Sequence, residues 1–202
     1  MKKTIRILTL LTLVIVSAAP SFAQLRYGFR FGGSFATPSL RNAKDYKLIN
    51  RSGFSGGIML EYTLPETGAA ADIAVLFTRY STRLEMPGGG RMSFGRNFIE
   101  VPLHLKYKFW LPAFSNTVAP VVYTGPSLMI KTDRVKDDSP MTTMRFQPGW
   151  DVGVGIDIIN FIQVTAGYRF GLGNAVKSFP ERSDAVMRTN GWNLSVSLLF
   201  DF

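Results

Sequence analysis

The sequence predicts an all-β fold, an eight-stranded antiparallel up-and-down transmembrane β-barrel of the outer-membrane type. Three observations lead there. Period-two alternation recurs in eight segments of about 10–13 residues, long enough to cross a bilayer when tilted. Their connections alternate, long after the first, third, fifth and seventh and short after the second, fourth and sixth. The greasier face is also too bulky for one eight-stranded lumen, which Tyr27, Phe29, Phe31, Trp150, Ile156, Tyr168, Phe170, Trp192 and Phe200 would overfill. That argues against a soluble lipocalin-like barrel and turns the bulky face toward lipid.

Residues 1–23 read as a secretory signal peptide outside the fold. Lys2, Lys3 and Arg6 precede an apolar run from Ile7 to Ala19, and Ser21-Phe22-Ala23 is a small-x-small cleavage site. The run is short for a membrane anchor. Residues 24–202 then form one barrel domain. No later run is long and apolar enough for a membrane helix, so a membrane reading requires a barrel. The absence of cysteine excludes thiol chemistry and zinc–thiolate sites. The 19 glycines fit sheets whose interior is crowded.

The elements follow in order. Strand one, Leu25–Ala36, sets Leu25, Tyr27, Phe29, Phe31 and Phe35 against Arg26, Gly28, Arg30, Gly32 and Ser34. A charged loop leads to strand two, Gly53–Leu64, and Pro65-Glu66-Thr67-Gly68 marks a tight turn. Strand three runs from Ala69 to about Leu84. Strand four, about Phe98–Trp110, alternates most cleanly, with Ile99, Val101, Leu103, Leu105, Tyr107 and Phe109 opposing Glu100, Pro102, His104, Lys106 and Lys108. Strand five, Pro120–Lys131, is the least regular because it contains Gly125-Pro126. Strand six, Gln147–Ile158, and strand seven, Ile162–Leu172, flank a three-residue turn. The even sum of their paired residue numbers sets Asp151 opposite Arg169. A four-residue turn likewise sets Glu61 opposite Asp72, a like-charge pair that needs cations from Arg26, Lys106 and Lys108. Strand eight, Gly191–Phe202, alternates throughout except at Leu199 and ends on an aromatic.

Charge sorts by the same topology. Without the three basic residues of the signal segment, 20 of the 23 Lys and Arg face 14 acids, a net +6. The strands hold six bases and six acids, all on the polar parity except Arg79, near a strand end. A lumen charge network is therefore expected from Arg26, Arg30, Glu61, Asp72, Glu100, His104, Lys106, Lys108, Asp151, Asp157, Arg169 and Asp201. The long loops carry a net +7 and the short turns only Glu66, so the positive charge arises at the outer rim. Its basic residues include Arg41, Lys44, Lys47, Arg51, Arg91, Arg96, Lys136, Arg145, Lys177, Arg182 and Arg188. For an exported protein, nucleic acid is excluded as a partner, and outer-membrane lipid and lipopolysaccharide are the expected ones.

FIEVPLHLKYKF (98–109), YTGPSLMIK (123–131), GWDVGVGIDI (149–158), VTAGYRFGLGN (164–174) and the terminal Phe202 resemble the PorT-like group of small outer-membrane β-barrel proteins. The resemblance extends over essentially the whole mature chain. It implies an outer-membrane location, assembly by the barrel insertion machinery and, for some relatives, a part in protein secretion. It implies no catalytic residue and no cofactor. The alternation of long and short connections is what an up-and-down barrel with both termini in the periplasm of a Gram-negative bacterium predicts.

Candidate sites are weighed against plainer roles. His104, the single histidine, would need a nucleophile and an orienting acid to act as a base, with Ser127 and Glu100 as conceivable partners. A hydrogen-bonding role in the lumen requires less. Gly153-x-Gly155 lacks the strand–turn–helix setting of a nucleotide loop, and the run Asp133–Asp138 lacks the ligand spacing of a calcium loop. No metal or cofactor is expected, and no enzymatic activity. An open pore is disfavoured because long Arg, Lys and Glu side chains cross so narrow a barrel. Three functional classes remain open: a structural or accessory barrel assisting secretion, a loop-mediated receptor, adhesin or lipopolysaccharide-binding barrel, and a lipid-modifying enzyme centred on His104.

Overall fold

The computed structural model describes residues 24–36, 39–41, 47–64, 67–85, 91–109, 117–132, 142–173, 176–178 and 186–201. Its main strands are β1 (Gln24–Ala36), β2 (Lys47–Leu64), β3 (Ala69–Glu85), β4 (Arg91–Lys108), β5 (Val118–Lys131), β6 (Phe146–Ile158), β7 (Ile162–Gly171) and β8 (Gly191–Asp201). Each pairs antiparallel with its sequence neighbour, and β1 closes on β8. The barrel is thus eight-stranded and up-and-down, as the alternation required. The expected signal segment, 1–23, and Phe202 lie outside the described residues.

Two features depart from expectation. β2 and β4 begin at Lys47 and Arg91, about six residues before the expected Gly53 and Phe98. These extra turns of strand pair with β3 as far as Lys47↔Glu85 and Glu85↔Arg91. Polar residues on both parities, Lys47 and Arg51 against Asn50 and Ser52, and Arg96 in line with Met92 and Phe94, blur the alternation that marks a strand. In addition, short strands join the connections: Ser39–Arg41 with Val186–Arg188, and Thr142–Thr143 with Val176–Ser178.

The register fixes the barrel's shape. Following paired residues once around, Gln24, Thr63, Ala70, Lys106, Tyr123, Gly153, Gly167 and Asn193 lead back to β1 at Ser34, ten residues beyond the start. Ten residues at about 3.3 Å, set against eight strands at about 4.8 Å, give a strand tilt of about 40°. That is the tilt of a membrane barrel whose interior side chains just fill it.

The outer face is a continuous apolar belt, with Phe29, Phe31, Ile58, Val75, Leu103, Leu105, Val152, Val154 and Val196 all exposed. Aromatic rings bound it at both ends. At the end carrying the short turns, Tyr27 stacks on Phe200 with centroids 5.6 Å apart and Phe161 meets the same ring edge-on at 5.2 Å. At the loop end, Tyr168 packs against Trp192 at 5.2 Å, near exposed Phe35, Phe54, Trp150 and Phe170. The eight-residue rise from Tyr27 to Phe35 covers about 20 Å along the axis at this tilt, close to the height of a lipid-facing band.

The turn end is tightly built. Gly68 adopts φ 71°, and the N–H groups of Thr67 and Gly68 donate to the Leu64 carbonyl at 3.2 and 3.0 Å. In the β6–β7 turn, Ile159 and Asn160 both adopt φ 55°, and Phe161 N–H donates to the Ile158 carbonyl at 3.1 Å. Asparagine tolerates this left-handed backbone, whereas a β-branched residue is costly there. A guanidinium nitrogen of Arg26 donates to the Asn160 carbonyl and ties the turn to the lumen.

Glycines on β6 and β7 make room for one ring. The Tyr123 side chain lies across both, so a Cβ added at Gly153 would stand 2.4 Å from its Cζ, and one at Gly167 would stand 2.1 Å from its hydroxyl oxygen. That hydroxyl donates to Asn193 Oδ1 at 3.1 Å, spanning from β5 to β8. Gly153→Ala is expected to cost about 1–3 kcal/mol by overpacking, read as a lowered urea midpoint in lipid vesicles. In a Tyr123→Ser background the same change should cost far less, because the obstructing ring is gone. An equal cost in both backgrounds would refute the ring-on-glycine account.

Candidate functional site

The strongest concentration of chemistry is inside the barrel, where period two turns every second side chain into the lumen. At the turn end, Glu61 of β2 is fully buried and is the hub. It pairs with the Arg26 guanidinium, with Lys106 Nζ at 2.6 Å and with Lys108 Nζ at 2.7 Å. Thr63 Oγ1 donates to it at 3.2 Å. Asp157 of β6 takes the remaining valences of Lys108 at 2.6 Å and Arg26 at 3.2 Å. Glu61 and Asp72 stand directly opposite each other in register, an unfavourable pair by itself. Lys106 relieves it by reaching Asp72 at 2.5 Å as well as Glu61, while also donating to Gln163 Oε1 at 2.5 Å.

The chain of contacts continues toward the loop end. Arg30 donates to Asp72 at 2.6 Å and to Ser197 Oγ at 3.1 Å. His104 stands between two carboxylates, Nδ1 at 3.3 Å from Asp72 and Nε2 at 3.3 Å from Asp151. Asp151 faces Arg169 across the β6–β7 hairpin and accepts from its Nε at 2.7 Å and its terminal nitrogen at 2.8 Å. Arg169 crosses the barrel to Glu100 on β4, which also accepts from Thr78 Oγ1 at 3.2 Å. The result is one ladder of alternating charge from Asp157 to Glu100. Five Arg or Lys side chains meet five carboxylates, with His104 bridging two of them. A nearly balanced lumen sets up no strong field to draw an ion through it.

Apolar groups fill the gaps beside the ladder, with Met59 two residues from Glu61 and Ala74 two residues from Asp72. Leu199, the exception in the terminal strand's alternation, is 1% exposed and packs with Met59, Ala74 and Leu76 inside the lumen. Tyr80, Phe98 and Met129 form a second apolar cluster toward the loop end. Between Arg30, His104 and Arg169 on one side and Gly32, Ser34, Ser55, Asn193 and Ser195 on the other remains a cavity of about 40 Å³. That holds on the order of three waters. Among the described residues, no group of three or more Asp, Glu, His or Cys side chains has the arrangement of a metal site.

Of the expected lumen residues, Arg26, Arg30, Glu61, Asp72, Glu100, His104, Lys106, Lys108, Asp151, Asp157 and Arg169 meet in this ladder. Asp201 does not. It pairs in register with Arg26 at the strand end, but its side chain is exposed. The expected rim needs correction too. Arg96 belongs to β4, shares the inward parity of Phe98 and Glu100, and is buried, because the strand begins earlier than its polar sequence suggested. Lys47, Arg51 and Arg91 also belong to long barrel strands, and Arg41, Lys177 and Arg188 to the short ones. Arg145 is exposed, its guanidinium 5.7 Å from the Phe146 ring centre. Lys44, Lys136, Arg182 and the run Asp133–Asp138 lie outside the described residues. The sequence reading passed over the neutral partners Thr63, Thr78, Gln163 and Ser197. Their inward parity was the available signal, but nothing marks a neutral side chain as a partner until the register is known.

Breaking a buried pair by removing one partner typically costs about 3–5 kcal/mol, since it leaves charge uncompensated. Glu61→Gln keeps the side chain's size but leaves Arg26, Lys106 and Lys108 to share Asp72 and Asp157. A loss of that order is expected in urea unfolding from lipid vesicles, and an unchanged midpoint would contradict the hub role.

The solid-state NMR structure of the outer membrane protein AlkL in lipid bilayers is 16% identical, with a TM-score of 0.52, covering 89% of this chain and 91% of that one. The crystal structure of Neisserial surface protein A is 17% identical, with a TM-score of 0.49, covering 87% and 97%. At such identity the AlkL likeness speaks to the fold alone. No curated protein sequence matches the chain. A family model described as the outer membrane protein beta-barrel domain matches residues 21–177. That match runs from before β1 to beyond β7, well over half of the sequence, and the barrel closes as such a domain must: the chain belongs to the outer-membrane protein β-barrel domain family.

Proposed function

We propose that this protein is a closed, non-conducting barrel with a structural or accessory role in the outer membrane of a Gram-negative bacterium, both termini in the periplasm. The observation that carries the reading is the ladder from Asp157 to Glu100, which spans the lumen beside a cavity of only about 40 Å³. Work done by such a barrel falls to its surfaces rather than to its interior. The PorT-like resemblance of residues 98–109 and 149–158 supports assistance to protein secretion as that accessory task. Assembly by the barrel insertion machinery, after cleavage behind Ala23, is part of the same proposal.

A hydrolase centred on His104 is disfavoured by the hydrogen bonds around it. Ser127 Oγ donates to Asp151 at 3.1 Å rather than facing His104, and Glu100 is held by Arg169 and Thr78. A nucleophile must sit beside its base, and here a carboxylate intervenes. The second reading, a loop-mediated receptor or adhesin, gains support from β2, β3 and β4. Their paired ends continue past the loop-end aromatics, the position from which a receptor or adhesin would meet a partner.

Planar-bilayer recording separates a plugged barrel from a channel. Purified protein is expected to insert without steady current steps. Reproducible unitary conductance would overturn the proposal.

A further inference from the structure

Lipid excludes charge from the outer face of the belt, and a single charged side chain among those described there breaks the rule. Arg79 of β3 has the parity of Ile73, Val75 and Phe77, all exposed to lipid, and is itself exposed. It pairs in register with Phe54 on β2 and Asn97 on β4. Phe54 belongs to the loop-end aromatic ring, so Arg79 stands where the apolar belt gives way to headgroups. A charge there costs little, whereas at the midplane it would cost several-fold more.

Its surroundings leave the guanidinium available. A Cβ added at Gly95 would lie 3.8 Å from Arg79 Nε and 3.9 Å from a terminal nitrogen, so the guanidinium lies over bare backbone. Arg26, Arg30 and Arg169 all bind carboxylates, but among the described residues Arg79 has no ion-pair partner. The nearest carboxylate position on the same parity of β3 is Glu85, six residues further out and paired in register with Arg91. Arg83 lies on that parity as well, four residues beyond Arg79. Cationic positions therefore gather on one strand pair just above the belt.

We infer that Arg79 binds a phosphate of outer-leaflet lipopolysaccharide, with its planar guanidinium, lying beside the side-chain-free Gly95, as a bidentate donor. The inference deepens the outer-membrane reading and rests on it. The lipid is held against the β3–β4 wall rather than by the loops at large.

Full-length mature protein in detergent would be titrated with lipid A, with dephosphorylated lipid A and with phosphatidylglycerol, and bound lipid counted by native mass spectrometry. Arg79→Gln should weaken lipid A binding about fivefold, the effect of one basic residue near an anionic surface. It should leave dephosphorylated lipid A unaffected, and Arg79→Lys should recover only part of the loss. Equal lipid A affinity for Arg79→Gln and parent would overturn the inference, as would an equal loss toward all three lipids. Phosphatidylglycerol held as tightly as lipid A by the parent would overturn the choice of lipopolysaccharide. Faster migration of the unboiled Arg79→Gln barrel reports folding separately, so failure of the lipid site and failure of the barrel reading remain distinct.

Discussion

Every charged side chain at the mid-depth of the lipid belt has one permitted direction, and that direction leads into a space too narrow for bulk water. Lipid forbids the outward choice at the midplane. An eight-stranded cross-section denies solvent to the inward one. Such groups must therefore find each other. Lys106 shows how completely this governs the structure, since its one ammonium meets Glu61, Asp72 and Gln163 and joins β4 to three other strands. The ten-residue stagger, the glycines beneath Tyr123 and the apolar patch at Leu199 are arrangements that let the ladder close.

The same constraint explains what could be read in the residues beforehand. Strand number, topology and the inward set were legible because lipid on one face and charge on the other give a strong period-two signal. The pairs Asp151↔Arg169 and Glu61↔Asp72 followed from turn length and parity alone. Legibility ended where the belt ended. Residues 47–52 and 91–97 are strand, but Lys47, Asn50, Arg51 and Ser52, and Arg91, Ser93, Arg96 and Asn97, put polar residues on both parities, which hides the strand in the sequence. Arg96 was assigned to the rim for that reason, although its parity already pointed inward. Asp201 failed for a related reason, because inward parity at the last turn of a strand no longer implies enclosure. Which carboxylate meets which cation across the lumen depends on the barrel's stagger, and no single strand encodes that.

A lumen filled by paired charges differs in kind from one filled by apolar side chains. Buried ion pairs add little net stability over a well-packed apolar core, and they punish any change that unbalances them. They do fix the relative height of distant strands, because a carboxylate one step out of register loses its cation. Arg169 on β7 and Glu100 on β4 are held in this way from opposite walls.

The central claim is that these strands form a closed barrel in the outer membrane, and heat-modifiability tests it most directly. Purified outer membranes would be run on detergent gels with and without boiling. The account predicts the protein in that fraction, migrating faster unboiled than boiled as a compact closed barrel does. Recovery with soluble periplasmic proteins, migrating identically in both lanes, would contradict it.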